Sequence, residues 1–130
     1  MAVLSSLAPN LVQSIRAFRI NELQAEASDL GQHFLYAYCG DVHSKEAVLG
    51  RVATSFCFPS HFGQNFDALY DCLTDLVHKS GPQAGFVIVL EQLPHAPEFD
   101  REARETLLDV FRDASDYWAK KGVCFRVFYS

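Results

Sequence analysis

From Val52 to His78 the chain has no Lys and no Arg, and its only formal charges there are Asp67, Asp71 and Asp75. A stretch without bases gives a nucleic acid nothing to hold, and the whole chain, at net charge −5, gives little more. Neither nucleic acid nor an anionic membrane surface suits it as a direct partner; a basic protein does. Long apolar runs are also missing, and nothing approaches the ~20 residues of a membrane span. The segment Met1 to Pro9 has no basic region and no extended apolar core, so no signal peptide is expected. The four cysteines, Cys39, Cys57, Cys72 and Cys124, form no Cys-x-x-Cys pair. Each sits in an apolar segment, the usage of reduced, buried thiols in a cytoplasmic protein.

The usual chemical signatures are absent. There is no G-x-G-x-x-G, no Walker-type lysine loop and no G-x-S-x-G elbow. The five histidines, His33, His43, His61, His78 and His95, include no i, i+4 pair. Neither a metal nor a cofactor is expected. Cys72 lies between Asp71 and Asp75, and neighbouring anions disfavour the thiolate a nucleophile needs. Asp67 and Asp71 could be read as a catalytic carboxylate pair, but that chemistry wants an enclosed cleft rather than an exposed helix face. No enzyme is expected.

At 130 residues and 49% hydrophobic content, the chain is one domain with a real core. Residues 1–31 read as an N-terminal helical arm packed on a body of residues 32–130. Within the arm, Pro9 starts a helix carrying Leu11, Val12, Ile15 and Phe18, and Asn21 caps a second short one closed by Gly31. His33–Cys39 reads as a strand buried on both faces. Ser44 caps a helix ending before Pro59. Gly85–Leu90 is a second buried strand, and Gln92–Phe99 a proline-containing loop with room for one helical turn. Asp100–Lys121 is a strong helix stopped by Gly122, and Val123–Tyr129 the last strand. The order βααβ(α)αβ predicts an α/β fold: a three-stranded parallel sheet covered by helices.

The stretch Phe58–Val77 organises the rest. Asn65 caps a helix that runs to about Lys79, with Asp67 in its first turn. Phe66, Leu69, Tyr70, Leu73, Leu76 and Val77 share one side; Asp67, Asp71 and Asp75 run down the other with Thr74 and His78. Like charges at i, i+4 each cost a helix about 0.2–0.5 kcal/mol. The row is either a solvated acidic face or the footprint of a basic partner. Tyr70 is open to both core packing and partner contact.

Phe58-Pro59 followed by Phe62-Gly63-x-Asn65-Phe66-Asp67-Ala68-Leu69-Tyr70-Asp71-Cys72-Leu73-Thr74 resembles the signature of the barstar family, bacterial inhibitors of barnase-type ribonucleases. The likeness continues at Val110–Ala114 and in the last strand, covers about residues 33–130, and is closest to a longer branch with an N-terminal extension. It implies the same βααβ(α)αβ fold. It also implies that His61 to Leu76 plugs a ribonuclease active site, with Asp71 in the phosphate pocket and Asp67 and Asp113 on other basic groups. Gly63 and Asn65 line that contact, and His61 and Tyr70 stand at aromatic positions. With Thr74 and Asp75 these make up the implied partner surface. His61 replaces a tyrosine, Asp75 a small residue, Leu76 a tryptophan and Asp113 a glutamate, so a nuclease other than barnase is expected. The implied protein is a cytoplasmic immunity protein, monomeric when free. The alternative is a barstar-fold regulatory domain binding some other basic protein. Asp116 serves as an indifferent surface acid against which Asp71 can be compared.

Overall fold

A computed structural model describes residues 4–59, 63–76 and 85–130. Its core is a four-stranded, wholly parallel sheet in the order β1-β4-β3-β2. The strands are β1 (Asn10–Ser14), β2 (His33–Tyr38), β3 (Gly85–Glu91) and β4 (Cys124–Tyr129). The helices with described bounds are α1 (Ile20–Asp29), α2 (Lys45–Ser55), α3 (Phe66–Leu73) and α4 (Arg101–Lys120). The α/β class and parallel sheet are as the sequence predicts. The strand count is not.

The extra strand comes from the arm. The first helix expected there does not form: after a 3-10 turn at Leu4–Ser6, residues Asn10–Ser14 lie against β4, in register from Asn10↔Phe125 to Ser14↔Tyr129. The spacing of Leu11, Val12 and Ile15 suits either period. The open edge of β4 decides it, because Phe125 N–H donates to the Pro9 carbonyl and Ile15 N–H to the Tyr129 carbonyl. As a strand, the segment sends Leu11 and Val12 to opposite faces, where they join separate apolar clusters. The Asn10 amide donates to the Ser115 and Val123 carbonyls, both at 3.0 Å. The second arm helix does form, but from Ile20, with Asn21 inside it.

Two clusters flank the sheet. The larger lies under α2, α3 and α4 and includes Leu49, Leu69, Leu73, Phe86, Phe111, Trp118 and Phe125. The smaller lies under α1 and includes Leu4, Leu23, Ala27, Val87, Val89 and Phe128. β3 is buried from Gly85 to Leu90, as a central parallel strand covered on both faces must be. β2 is one of the sheet's two edge strands, so the expectation of burial on both faces fails there: Leu35 and Ala37 are buried while Tyr36 and Tyr38 are exposed. Arg126 of β4 is 5% exposed. Its Nε donates to the Ala8 carbonyl at 2.9 Å and its Nη2 to that of Leu7 at 3.4 Å, which ties the arm down.

The caps follow single-residue chemistry. The side chains of Ser44 and Asp100 accept from Ala47 and Ala103 N–H, at 3.1 and 2.9 Å. Gly122 ends α4 at φ +70, where a side chain is disfavoured. The helical turn allowed for in Gln92–Phe99 is absent: a tight turn closed by an Ala96–Phe99 hydrogen-bond pair replaces it. The thiols are less uniform than expected. Cys39 is buried, which pushes it up to about 11, but Cys72 and Cys124 are half-buried and Cys57 is exposed at φ +58.

Trp118 couples α4 to α3. Its indole N–H donates to the Leu73 carbonyl at 3.0 Å in a buried setting, satisfying the C-terminal end of α3. Trp118→Phe keeps the ring stack but strands that carbonyl. It is expected to cost about 1–3 kcal/mol in a urea unfolding curve.

Candidate functional site

α3 is set by its ends. Asn65 is extended at φ −143 and its Oδ1 accepts from Ala68 N–H at 2.8 Å, the cap expected from sequence. A side chain at Gly63 would bring its Cβ within 3.2 Å of the Asn65 amide nitrogen, so a glycine keeps the cap uncrowded. Asn65→Ala is expected to destabilise the fold by about 1 kcal/mol, read as a lower thermal midpoint.

The other end comes early. α3 stops at Leu73 rather than running to Lys79, with Thr74 as its C-cap. The Thr74 hydroxyl donates to the carbonyls of Tyr70 (2.9 Å) and Asp71 (3.2 Å), so it is occupied within the helix terminus. The expected row of three aspartates therefore breaks. Asp67 and Asp71 remain one turn apart on α3, while Asp75 follows the helix. His61 and the predicted helix end at Val77–Lys79 lie outside the described residues.

What α3 loses in length it gains from α4. The two helices bound an open groove of about 590 Å³. Asp67 and Asp71 line it from α3, and Asp113 and Asp116 from α4. Its floor is Phe66, Tyr70, Val110 and Tyr117, so Tyr70 is available to a partner as well as to packing. All four carboxylates are exposed. Among the described residues none of them is in a salt bridge: Arg112, next to Asp113 in sequence, is engaged by Asp109 (2.7 Å) and Glu105 (3.8 Å). Two bases fringe the groove. Lys120 closes one end, and the Lys45 ammonium stands 5.3 Å from the Phe66 ring centre.

A second, smaller hollow of about 200 Å³ lies beside it, lined by Phe56, Phe58 and Pro59 with Asp71, Cys72, Asp75 and Leu76. Asp71 alone among the described residues lines both hollows. The structure thus brings together Asp67, Tyr70, Asp71 and Asp113, and sets Asp75 across Asp71 from them. Asp116, the acid against which Asp71 is compared, lines the same groove, and the missed signal is its i, i+3 spacing from Asp113 on one helix face.

Such a surface offers negative charge over a partly aromatic bed. Comparison with known families meets it with a specific match: the model of Barstar (barnase inhibitor) fits residues 32–130. The chain belongs to the barstar family. No curated protein matches the sequence. The matched span takes in the barstar-type helix α3 and all of α4, and leaves out β1 and α1, which precede it. Among the described residues, no group of three or more His, Cys, Asp or Glu is placed to hold a metal. None of their helices is long and apolar enough to cross a membrane.

Proposed function

We propose that this barstar-family chain inhibits a basic ribonuclease or toxin nuclease by occupying its active site with the α3–α4 groove. The observation that carries the reading is the set of four carboxylates, two from each helix, facing one groove with no salt bridge to any described residue. A ribonuclease site is cationic because it binds phosphates. Carboxylates fixed on rigid helices present the same charge, so occupation alone blocks the enzyme. Asp71, on the crest between the two hollows, takes the central phosphate position. Asp67, Asp113 and Asp116 flank it, Tyr70 supplies flat contact area, and Gly63 and Asn65 form the approach. Asp75 contacts the partner only at the margin, through the smaller hollow, and Thr74 acts by holding the end of α3.

Barnase and the nuclease encoded nearest to this chain can be titrated with the full-length protein while the cleavage of a fluorogenic RNA is followed. Stoichiometric loss of cleavage by the neighbouring nuclease is expected, with barnase inhibited less. Binding to a basic protein that is not a nuclease, with cleavage untouched, would instead assign the groove a regulatory partner.

A further inference from the structure

Among the described residues two buried side-chain atoms have no hydrogen-bond partner, Gln32 Oε1 and Arg126 Nη1. One is an acceptor, the other a donor. Arg126 is 5% exposed and in no salt bridge among the described residues. Its Nε and Nη2 reach the carbonyls of Ala8 and Leu7, which leaves a buried guanidinium with an orphan N–H. Such a group is costly unless something completes its shell.

The fold sets both orphans beside Cys124. The side chains of Cys124, Arg126 and Phe128 share the face of the sheet under α1. The Cβ of Cys124 and the amide carbon of Gln32 lie 2.7 and 3.1 Å from one point, where a side chain of Gly85 would begin. The bare backbone of Gly85 thus lets the Gln32 amide lie next to Cys124, on its β3 side. Arg126 approaches from the β1 side. The register of Asn10 with Phe125, continued down the strands, puts Ala8 level with Val123. To donate to the Ala8 and Leu7 carbonyls, the guanidinium folds back along β4 past Cys124. Cys124 itself is half-buried, so a small molecule from solvent reaches it.

The geometry points to Cys124 as a redox modification site, where a peroxide converts the thiol to a sulfenic acid that Arg126 and Gln32 hold. The sulfur attacks one peroxide oxygen, the O–O bond breaks, and the thiol proton leaves with the departing oxygen as water or an alcohol. Sulfur is oxidised by two electrons and the peroxide is reduced by two. The new S–O–H group supplies what the site lacks: its oxygen accepts from Arg126 Nη1 and its hydroxyl donates to Gln32 Oε1. A thiol is a weak donor and a weak acceptor and serves neither well. Electropositive, partly exposed surroundings are those in which reactive cysteines occur. The other thiols are placed differently: Cys39 is buried, Cys72 shares a hollow with Asp71 and Asp75, and Cys57 is exposed. Because Leu7 and Ala8 belong to the arm, the modification fastens β1 to β4. The α3–α4 groove lies on the other face of the sheet and is left open.

The experiment treats the full chain with a few equivalents of hydrogen peroxide, removes the excess with catalase, and adds dimedone, which captures sulfenic acids, before peptide mass spectrometry. Dimedone is expected on Cys124. Cys57 should carry little, because an unheld sulfenic acid goes on to a disulfide or to sulfinic acid. Gln32→Ala removes the acceptor at a half-buried position and leaves the guanidinium in place. It should cut the Cys124 label about five-fold, as the loss of one hydrogen bond implies, with the Cys57 label unchanged. The wild-type result stands whether or not that variant folds. Label confined to Cys57, or spread over the thiols in order of exposure, overturns the inference. So does a Cys124 label equal in wild type and folded Gln32→Ala.

Discussion

Asp71→Ala is expected to weaken the complex with the cognate nuclease about thirty-fold to a few thousand-fold. That corresponds to the ~2–5 kcal/mol lost when one member of a desolvated charge pair is removed, a range known in part from barnase-type ribonucleases with their own inhibitors. Asp71 carries the largest expectation because of its position: it lines both the α3–α4 groove and the smaller hollow, so a partner covering either one buries it. In the free protein no salt bridge among the described residues competes for it. Asp75 lines the smaller hollow alone, and its truncation is expected to cost under about 1 kcal/mol, as for an exposed pair. Asp116→Ala should fall between the two, because it faces the same groove from the α4 bank. Calorimetric titration of the three variants gives the ranking. Equal effects at Asp71 and Asp75 would move the interface off the groove.

A chain that starts at Ile15 is expected to lose several kcal/mol of stability. The cut removes β1 and with it Leu4 and Leu11, which seal the cluster under α1. Leu4, fully buried, is worth about 1.5–3 kcal/mol, and the half-buried Leu11 adds less. The cut also removes the Leu7 and Ala8 carbonyls that receive the Arg126 guanidinium, and the Asn10 amide that bridges Ser115 and Val123. β4 becomes an edge. Domains of this size hold about 5–15 kcal/mol in all, so much of the margin disappears. Thermal unfolding followed by circular dichroism reads the loss. An unchanged midpoint would mean that the arm is an accessory laid on a body stable without it.

The parts legible in the sequence are those that short-range chemistry decides. Asn65, Ser44 and Asp100 cap their helices because a side-chain oxygen two or three residues from an orphan N–H finds it in any context. β3 was legible because a central parallel strand is apolar on both faces. β1 was not, since Leu11, Val12 and Ile15 fit two periods and the choice belongs to β4, more than a hundred residues on. The burial of β2 was misread for a related reason: its run of aromatics says strand, but only topology says edge. At the site, Asp67, Asp71 and Asp113 could be named from the family likeness. The end of α3 could not, because the Thr74 hydroxyl can close the helix or face solvent with the same local sequence. Asp116 gains meaning only once α3 and α4 lie side by side and put four acids on one groove.

Occupation of a cationic nuclease site by that groove is tested by RNA cleavage by the neighbouring nuclease as wild-type protein and Asp71→Ala are added in turn. Cleavage is expected to fall to background at one equivalent of wild type and to persist at one equivalent of the variant. Cleavage unchanged by excess wild-type protein, or abolished equally well by Asp71→Ala, would contradict it.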